Sequence, residues 1–91
     1  NMDIFGFFRA KERVALYIFL MRRGKVIGSE EFLLQESRHI PDEDILFRFL
    51  SGFYKNRGER PDIILLPFGV NRKAHLLREL SKGVRKKIRL L

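Results

Sequence analysis

The fold is decided by residues 14–34, VALYIFLMRRGKVIGSEEFLL, in which two apolar runs flank a short basic turn. Val14 to Met21 is continuously apolar and rich in strand-forming residues, which places it centrally in a sheet. Arg22-Arg23-Gly24-Lys25 predicts a tight hairpin turn, because glycine supplies the positive φ that such turns need. Val26 to Leu34 follows as the next strand, so the stretch predicts an antiparallel hairpin.

A further strand precedes the hairpin. Ile4-Phe5-Gly6-Phe7-Phe8 carries apolar side chains on both faces, which is typical of a strand covered on both sides. Gly6 indicates a bulge or a close approach of another group. Together with the hairpin this segment predicts a three-stranded antiparallel meander.

A helix and a strand follow the polar loop at 36–40. Asp42 is expected to be the N-cap of the first helix. Its core-facing stripe is predicted to be Leu46, Phe49, Leu50 and Phe53. Ile63-Ile64-Leu65-Leu66, closed by Pro67, predicts a short buried parallel strand.

A second helix and a last strand complete the pattern. Asn71 is expected to cap this helix and Gly83 to end it. Its core-facing residues are predicted to be Leu76, Leu77 and Leu80. Val84 to Leu91 predicts a highly charged strand, which suits the edge of a sheet.

The resulting order βββαβαβ predicts an α/β fold. Because the crossover connections are right-handed, the simplest topology is a five-stranded mixed sheet in the order 3-2-1-4-5. Only the second strand then runs antiparallel to the others, with two helices packed on the sheet. This is the ribonuclease H-like arrangement, and residues 1–91 are expected to form a single domain of this kind.

Composition narrows the class of protein. The chain has no cysteine, which excludes disulfides and thiolate metal sites and fits the reducing cytoplasm. No apolar run approaches the roughly 20 residues of a membrane span, so no membrane partner is expected. The chain begins with Asn1 rather than Met. We therefore expect a cytoplasmic fragment of a larger protein.

The net charge of +8 is concentrated near one end. Between Asn71 and Leu91 the only acidic residue is Glu79, which indicates a basic pole suited to a polyanion such as DNA. A solvated basic face without any ligand is the alternative. The candidate DNA-binding residues are Arg72, Lys73, Lys82, Arg85, Lys86, Lys87 and Arg89.

Four stretches in order carry a resemblance to a known family: MDIFG at 2–6, the hairpin at 14–29, FLSGFY at 49–54 and IILLP at 63–67. They resemble the UvrC family, a component of the bacterial UvrABC excinuclease. The most specific element is RRGKVIGS at 22–29. The similarity is to the segment between the UvrB-binding hairpin and the nuclease half that cuts 5′ of a lesion.

The resemblance implies a part in nucleotide excision repair of damaged DNA and in the SOS response. It implies weak contact with DNA, contact with the remainder of the UvrC chain, and UvrB as a partner in the parent complex. The incision residues of the family belong to a GIY-YIG module and to a downstream Asp/Asp/His nuclease domain. Neither motif is present here, so no catalytic residue is assigned.

A ribonuclease H-like nuclease needs carboxylates that converge on two metal ions. The candidate acids Asp3, Asp44 and Asp62 are expected to be separated, with Asp3 and Asp62 as surface acids near the beginnings of their strands. His39 and His75 are expected on the surface. We therefore expect no metal and no cofactor.

The favoured function is a non-catalytic structural domain of a UvrC-family excinuclease that binds DNA or a protein partner. Two alternatives stay open at this stage. One is a stand-alone magnesium-dependent ribonuclease H-like nuclease. The other is an interaction module that docks on an acidic partner.

Overall fold

A computed structural model describes all of residues 1–91. Its elements are β1 Met2–Ala10, β2 Arg13–Arg22, β3 Lys25–Gln35, α1 Asp42–Lys55, β4 Ile63–Leu65, α2 Lys73–Ser81 and β5 Arg89–Leu90. The strands form one sheet in the order β3-β2-β1-β4-β5. Only β2 is antiparallel to its neighbours, since β4 pairs in parallel with β1 and β5. The predicted α/β ribonuclease H-like topology is confirmed, with β1 rather than β2 at the centre.

The hairpin between β2 and β3 has the predicted turn. Arg23 and Gly24 have φ angles of 53° and 76°, and positive φ at both central positions is characteristic of a type I′ turn. The only irregularity of this ladder leaves Ile27 as an extra residue between Val26 and Gly28. Gly6 is not at a bulge.

Helix α1 begins at Asp42, and its N-cap residue is Pro41 without any side-chain cap. The prediction that Asp42 is the N-cap is therefore wrong. The Asp42 carboxylate instead accepts a hydrogen bond from Arg9 Nη1 at 2.9 Å. Arg9 also donates to the carbonyls of Ile40 and Ser37, at 2.6 and 2.7 Å, and so fastens the loop before α1 to β1.

Helix α2 begins at Lys73, and the prediction that Asn71 caps it is also wrong. Asn71 Nδ2 donates to Glu43 Oε1 at 2.6 Å, which connects the start of α2 to the first turn of α1. The predicted end at Gly83 is confirmed by its φ of 76°.

The last strand is much shorter than predicted. Residues 84–88 do not form a strand. They run alongside the loop that precedes β4 and not alongside β4 itself, so they have no strand to pair with. Lys86 Nζ lies 3.3 Å from Asp62 Oδ1 and donates to the carbonyl of Arg60 at 3.2 Å. Ladder pairing starts only at Arg89, opposite Ile63.

The core lies between one face of the sheet and both helices. Its buried apolar residues are Phe5, Val14, Leu16, Ile18, Ile45, Leu46, Leu50, Tyr54, Ile64, Leu76, Leu80, Ile88 and Leu90. The predicted core-facing stripe of α1 is confirmed, with Leu46 and Leu50 fully buried and Phe49 and Phe53 partly buried against the same core. Residues 1–91 supply no layer over the opposite face of the sheet, so within this chain β1 is covered on one side only.

Neither helix has the length and apolarity that crossing a bilayer requires.

Truncation within α1 tests this assignment of its buried face. Leu50→Ala is expected to lower the free energy of unfolding by about 2–5 kcal/mol, because it leaves a cavity in the core. Phe49→Ala is expected to cost about 1–2 kcal/mol, since a half-buried ring loses only part of its transfer free energy. Urea denaturation measures both values. A larger loss for Phe49→Ala than for Leu50→Ala would contradict the assigned face.

Candidate nucleic-acid interface

The seven predicted DNA-binding residues lie along the α2–β5 side of the molecule, but not as one cluster. Arg72 and Lys73 are at the beginning of α2, and Lys82 is at its end. A helix of nine residues separates these ends by about 14 Å. Lys82, Arg85, Lys86, Lys87 and Arg89 form the larger group, on the segment from α2 to β5.

A buried arginine that the sequence analysis did not single out shapes this larger group. Arg60 Nε donates to the carbonyl of Leu80 at 3.0 Å, and its Nη1 donates to the carbonyl of Arg57. A cation at the last carbonyls of a helix is favourable, because those groups carry the negative end of the helix dipole. Arg60 thereby fixes the loop before β4 against the end of α2, and Lys86 binds the carbonyl of that same residue.

Two lysines of the larger group form ion pairs with carboxylates, which partly neutralises their charge. Lys86 pairs with Asp62, and Lys82 pairs with Glu79 at 3.3 Å. The pKa of Asp62 is lowered by a hydrogen bond from the amino group of Asn1 and by the hydrogen bond and charge of Lys86. These cations are therefore less available to a ligand than their exposure suggests.

The remaining cations are exposed and make no ion pair: Arg72, Lys73, Arg85, Lys87 and Arg89. The Arg72 guanidinium lies 4.2 Å from the centre of the Phe47 ring, and His75 stacks on the same ring at 5.6 Å. A cation over an aromatic ring keeps its charge while its position is restricted. Both predicted surface histidines are exposed.

A second site missed by the sequence analysis is the buried carboxylate of Asp3, which is only 2% exposed. Tyr54 donates its hydroxyl proton to Asp3 Oδ2 at 2.6 Å, and Arg22 Nη1 donates to Oδ1 at 2.8 Å. Arg22 also pairs with Glu59 at 3.1 Å. The prediction that Asp3 is a surface acid is therefore wrong. The sequence feature that could have identified Asp3 as buried is the two-residue period of a strand, which puts Asp3 on the same face as Phe5.

The pKa values in this network follow from burial and from the Asp3 charge. Burial raises the pKa of Tyr54, and the hydrogen bond and charge of Asp3 raise it further. Burial alone would lower the pKa of Arg22, but its hydrogen bond to Asp3 and the charge of that residue outweigh burial and raise it. Tyr54 is thus held neutral and Arg22 charged.

The three candidate acids are in different places. Asp3 is enclosed by Arg22 and Tyr54, Asp44 is exposed on α1, and Asp62 is exposed beside Lys86. No three histidine, aspartate or glutamate side chains in the chain are grouped so that they would hold a metal ion.

The family model of the UvrC ribonuclease H-like domain matches residues 1–91. The chain belongs to this family. Curated relatives called UvrABC system protein C support the match. The relative from Chlamydia abortus is 30% identical over 71 residues, which is 78% of this chain and 12% of the relative.

The corresponding protein of Desulfotalea psychrophila is 35% identical over 68 residues, covering 75% of this chain and 11% of the relative. The corresponding protein of Dehalococcoides mccartyi is 32% identical over 82 residues, covering 90% of this chain and 14% of the relative. The chain thus spans roughly an eighth of the length of these relatives. The predicted resemblance to UvrC is confirmed.

The buried network predicts an unusual alkaline titration. In a Tyr17→Phe variant, Tyr54 is the only tyrosine, and its absorbance as tyrosinate near 295 nm reports its ionisation alone. An unfolded tyrosine ionises near pH 10, whereas Tyr54 keeps its proton in the folded domain. Stability is therefore fully present below about pH 10 and falls as pH rises above it, since only the unfolded state then releases the proton.

Tyrosinate is thus expected to appear together with the loss of tertiary structure, measured by near-ultraviolet circular dichroism. Ionisation near pH 10 in a domain that stays folded would show that Tyr54 is not held by Asp3. Urea-unfolded protein of the same variant is the control for the unperturbed titration.

Proposed function

We propose that residues 1–91 are a single non-catalytic domain of a longer UvrC-type excinuclease protein, which takes part in nucleotide excision repair in the cytoplasm. In this proposal the exposed cations along α2 and β5 bind DNA phosphates weakly and help to position the incision domains elsewhere in the same chain. UvrB is the proposed partner of the parent complex.

The exposed cations without ion pairs are the observation that carries this proposal. Arg85, Lys87 and Arg89 follow one another within five residues, and the anchored Lys86 and the buried Ile88 separate them. Side chains on such a short, anchored segment meet a phosphate backbone without first breaking an internal ion pair. Contacts to phosphate fix position and carry no base information, which suits an enzyme system that acts at lesions in any sequence.

The position of Asp3 supports a role without catalysis. Catalytic carboxylates bind metal ions through free oxygen lone pairs, and both Asp3 oxygens are hydrogen-bonded to protein donors. Releasing them would remove one of the two carboxylate partners of Arg22 and leave the buried Tyr54 hydroxyl without its acceptor. This favours the binding proposal over a stand-alone nuclease.

A salt titration of binding to random duplex DNA tests the proposed contact. Each phosphate contact contributes a slope of about 0.9 in log affinity against log salt concentration. The triple variant Arg85→Ala, Lys87→Ala and Arg89→Ala is therefore expected to bind more weakly, with a slope shallower by up to about 2.7. Lys86 is left intact because it holds the segment in place through Asp62.

The matched control removes the same number of charges on the opposite side of the molecule, at Arg13, Lys25 and Arg38. Its slope is expected to stay close to that of the wild type. Equal effects of both variants would contradict a defined interface and indicate attraction to net charge alone. Unchanged binding in the first variant would contradict the DNA contact and favour an acidic protein partner.

Assays with magnesium and manganese test the proposed lack of catalysis. The 91-residue chain is expected to leave single-stranded and duplex DNA and RNA uncut, because its acidic side chains do not form a group of three or more that could hold metal ions. Gel analysis of end-labelled substrates measures this. Cleavage that disappears in Asp3→Asn, in a variant shown to be folded, would overturn the proposal.

A further inference from the structure

The sheet face turned away from the helices is open and apolar. The strand registers put the following apolar residues on it, here called the open face: Met2, Ile4, Gly6, Phe8, Ala15, Tyr17, Phe19, Met21, Val26, Leu33, Ile63 and Leu65. Ser29 and Glu31, on the edge strand β3, lie on the same side, opposite Phe19 and Tyr17. Six of the apolar ones are exposed, which is unusual for large apolar side chains: Phe8, Tyr17, Phe19, Val26, Leu33 and Leu65. Phe8 is 66% exposed, Phe19 45% and Leu33 75%.

The charges on this side of the sheet lie at its margins. Glu31 is on the edge strand β3, Arg89 is on the opposite edge strand β5, and Arg13 is at the end of β2. Between them the surface is continuous from strand to strand. Gly6 lies opposite Tyr17, and a Cβ there would be 3.9 Å from Cδ2 of that ring, so the aromatic ring covers the glycine.

The parallel part of the sheet favours a second layer. The strands β1, β4 and β5 are parallel, and parallel strands are usually covered on both faces, whereas the antiparallel β1–β2–β3 part is compatible with one solvated face. On the antiparallel part, the exposed apolar side chains Phe8, Phe19 and Leu33 are what favours a cover. Both helices of this chain pack on the inner face, through Tyr54 and Phe53 on α1 and the core leucines of α2. Five strands are about 19 Å wide, which matches two helices side by side at about 10 Å each.

We propose that the open face binds a helical layer supplied in cis by the remainder of the UvrC chain. This rests on the part of the proposed function that makes residues 1–91 one domain of a longer protein, and it does not need the DNA contact. The relatives devote roughly seven-eighths of their length to sequence outside the matched segment. Leu91 extends the pairing of β5 with β4, so a continuing chain starts beside this face.

Charge disfavours the other occupants. Two copies packed through this face would bring together two chains of +8, which repel each other. DNA binds cations, and the centre of the open face has none. The occupant expected from the surface is an amphipathic pair of helices with aliphatic residues against Phe8, Phe19 and Leu33 and a cation near Glu31.

Photo-crosslinking in the full-length gene product that contains residues 1–91 tests this proposal. Tyr17 is at the middle of the open face, so it is replaced by the photoreactive benzoyl-phenylalanine. The expected result is crosslinks from position 17 to residues of the same chain outside 1–91, in a yield that does not depend on protein concentration. The same probe at Arg78, an exposed residue of α2, is the matched control.

Three results would overturn the proposal: crosslinks between two copies that increase with concentration, no crosslink from position 17, or equal crosslinking from position 78. A gene product that ends at Leu91 would overturn it as well. The docking and the DNA contact can fail separately. Crosslinks within one chain would support the docking, while an unchanged salt dependence of DNA binding in the triple variant would refute the DNA contact.

Charged substitutions on the open face provide an independent test of the proposed docking. Phe19→Glu with Leu33→Glu is expected to lower the yield from position 17 by about tenfold, since docking would bury two unpaired charges. The conservative pair Phe19→Leu with Leu33→Met is expected to retain the yield. The urea midpoint of the 91-residue chain is expected to be the same for both pairs. An unchanged yield with the glutamates would overturn the proposal.

Discussion

The buried carboxylate of Asp3 is the interaction on which the geometry of this domain depends. It lies on the central strand β1 and joins Tyr54, near the end of α1, to Arg22, at the end of β2. Through Glu59, Arg22 also reaches the loop that leads to β4. The Asp3 carboxylate thus joins β1 to the end of β2 and to the end of α1, which all precede β4 in the chain. A buried charge is tolerated only where it is paired and hydrogen-bonded, and both conditions are met here.

Arginines perform the same task elsewhere in the molecule. Arg9 fastens the loop before α1 through the carbonyls of Ser37 and Ile40 and through Asp42, and Arg60 fastens the loop before β4 to the end of α2. The planar guanidinium suits this use, because its several donors bind neighbouring acceptors in fixed directions. Part of the basic composition therefore serves the fold. The net charge alone overstates how many cations are free to meet DNA.

The two surfaces of the domain differ in the partners they favour. The α2–β5 side presents cations on a segment anchored by Lys86 and Asp62, and it suits a phosphate backbone. The open face is apolar with charges only at its margins, and it suits a packed layer of protein. In the functions proposed above, these two surfaces serve different partners: the cations bind DNA and the open face binds the rest of a larger protein.

Much of the local structure is determined by short stretches of sequence. The type I′ turn at Arg23 and Gly24, the end of α2 at Gly83 and the order of the elements follow from backbone preferences and from the spacing of apolar residues. The topology follows as well, because right-handed crossovers leave few arrangements of five strands. The four stretches that resemble UvrC are sufficient to predict the family.

Features that depend on distant residues were decided only by the tertiary structure. Asp42 and Asn71 have the side chains of helix caps, yet Arg9 and Glu43 bind them across 33 and 28 positions of the chain, respectively. Residues 84–88 have the composition of an edge strand, but Asp62 and Arg60 hold Lys86 away from the ladder. Asp3 resembles a surface acid in sequence, because nothing adjacent to it reveals Tyr54 or Arg22. Whether such a side chain caps its own helix, which contributes about 1 kcal/mol, or binds a distant charged partner depends on which partner the fold brings within reach, and only the folded chain shows this.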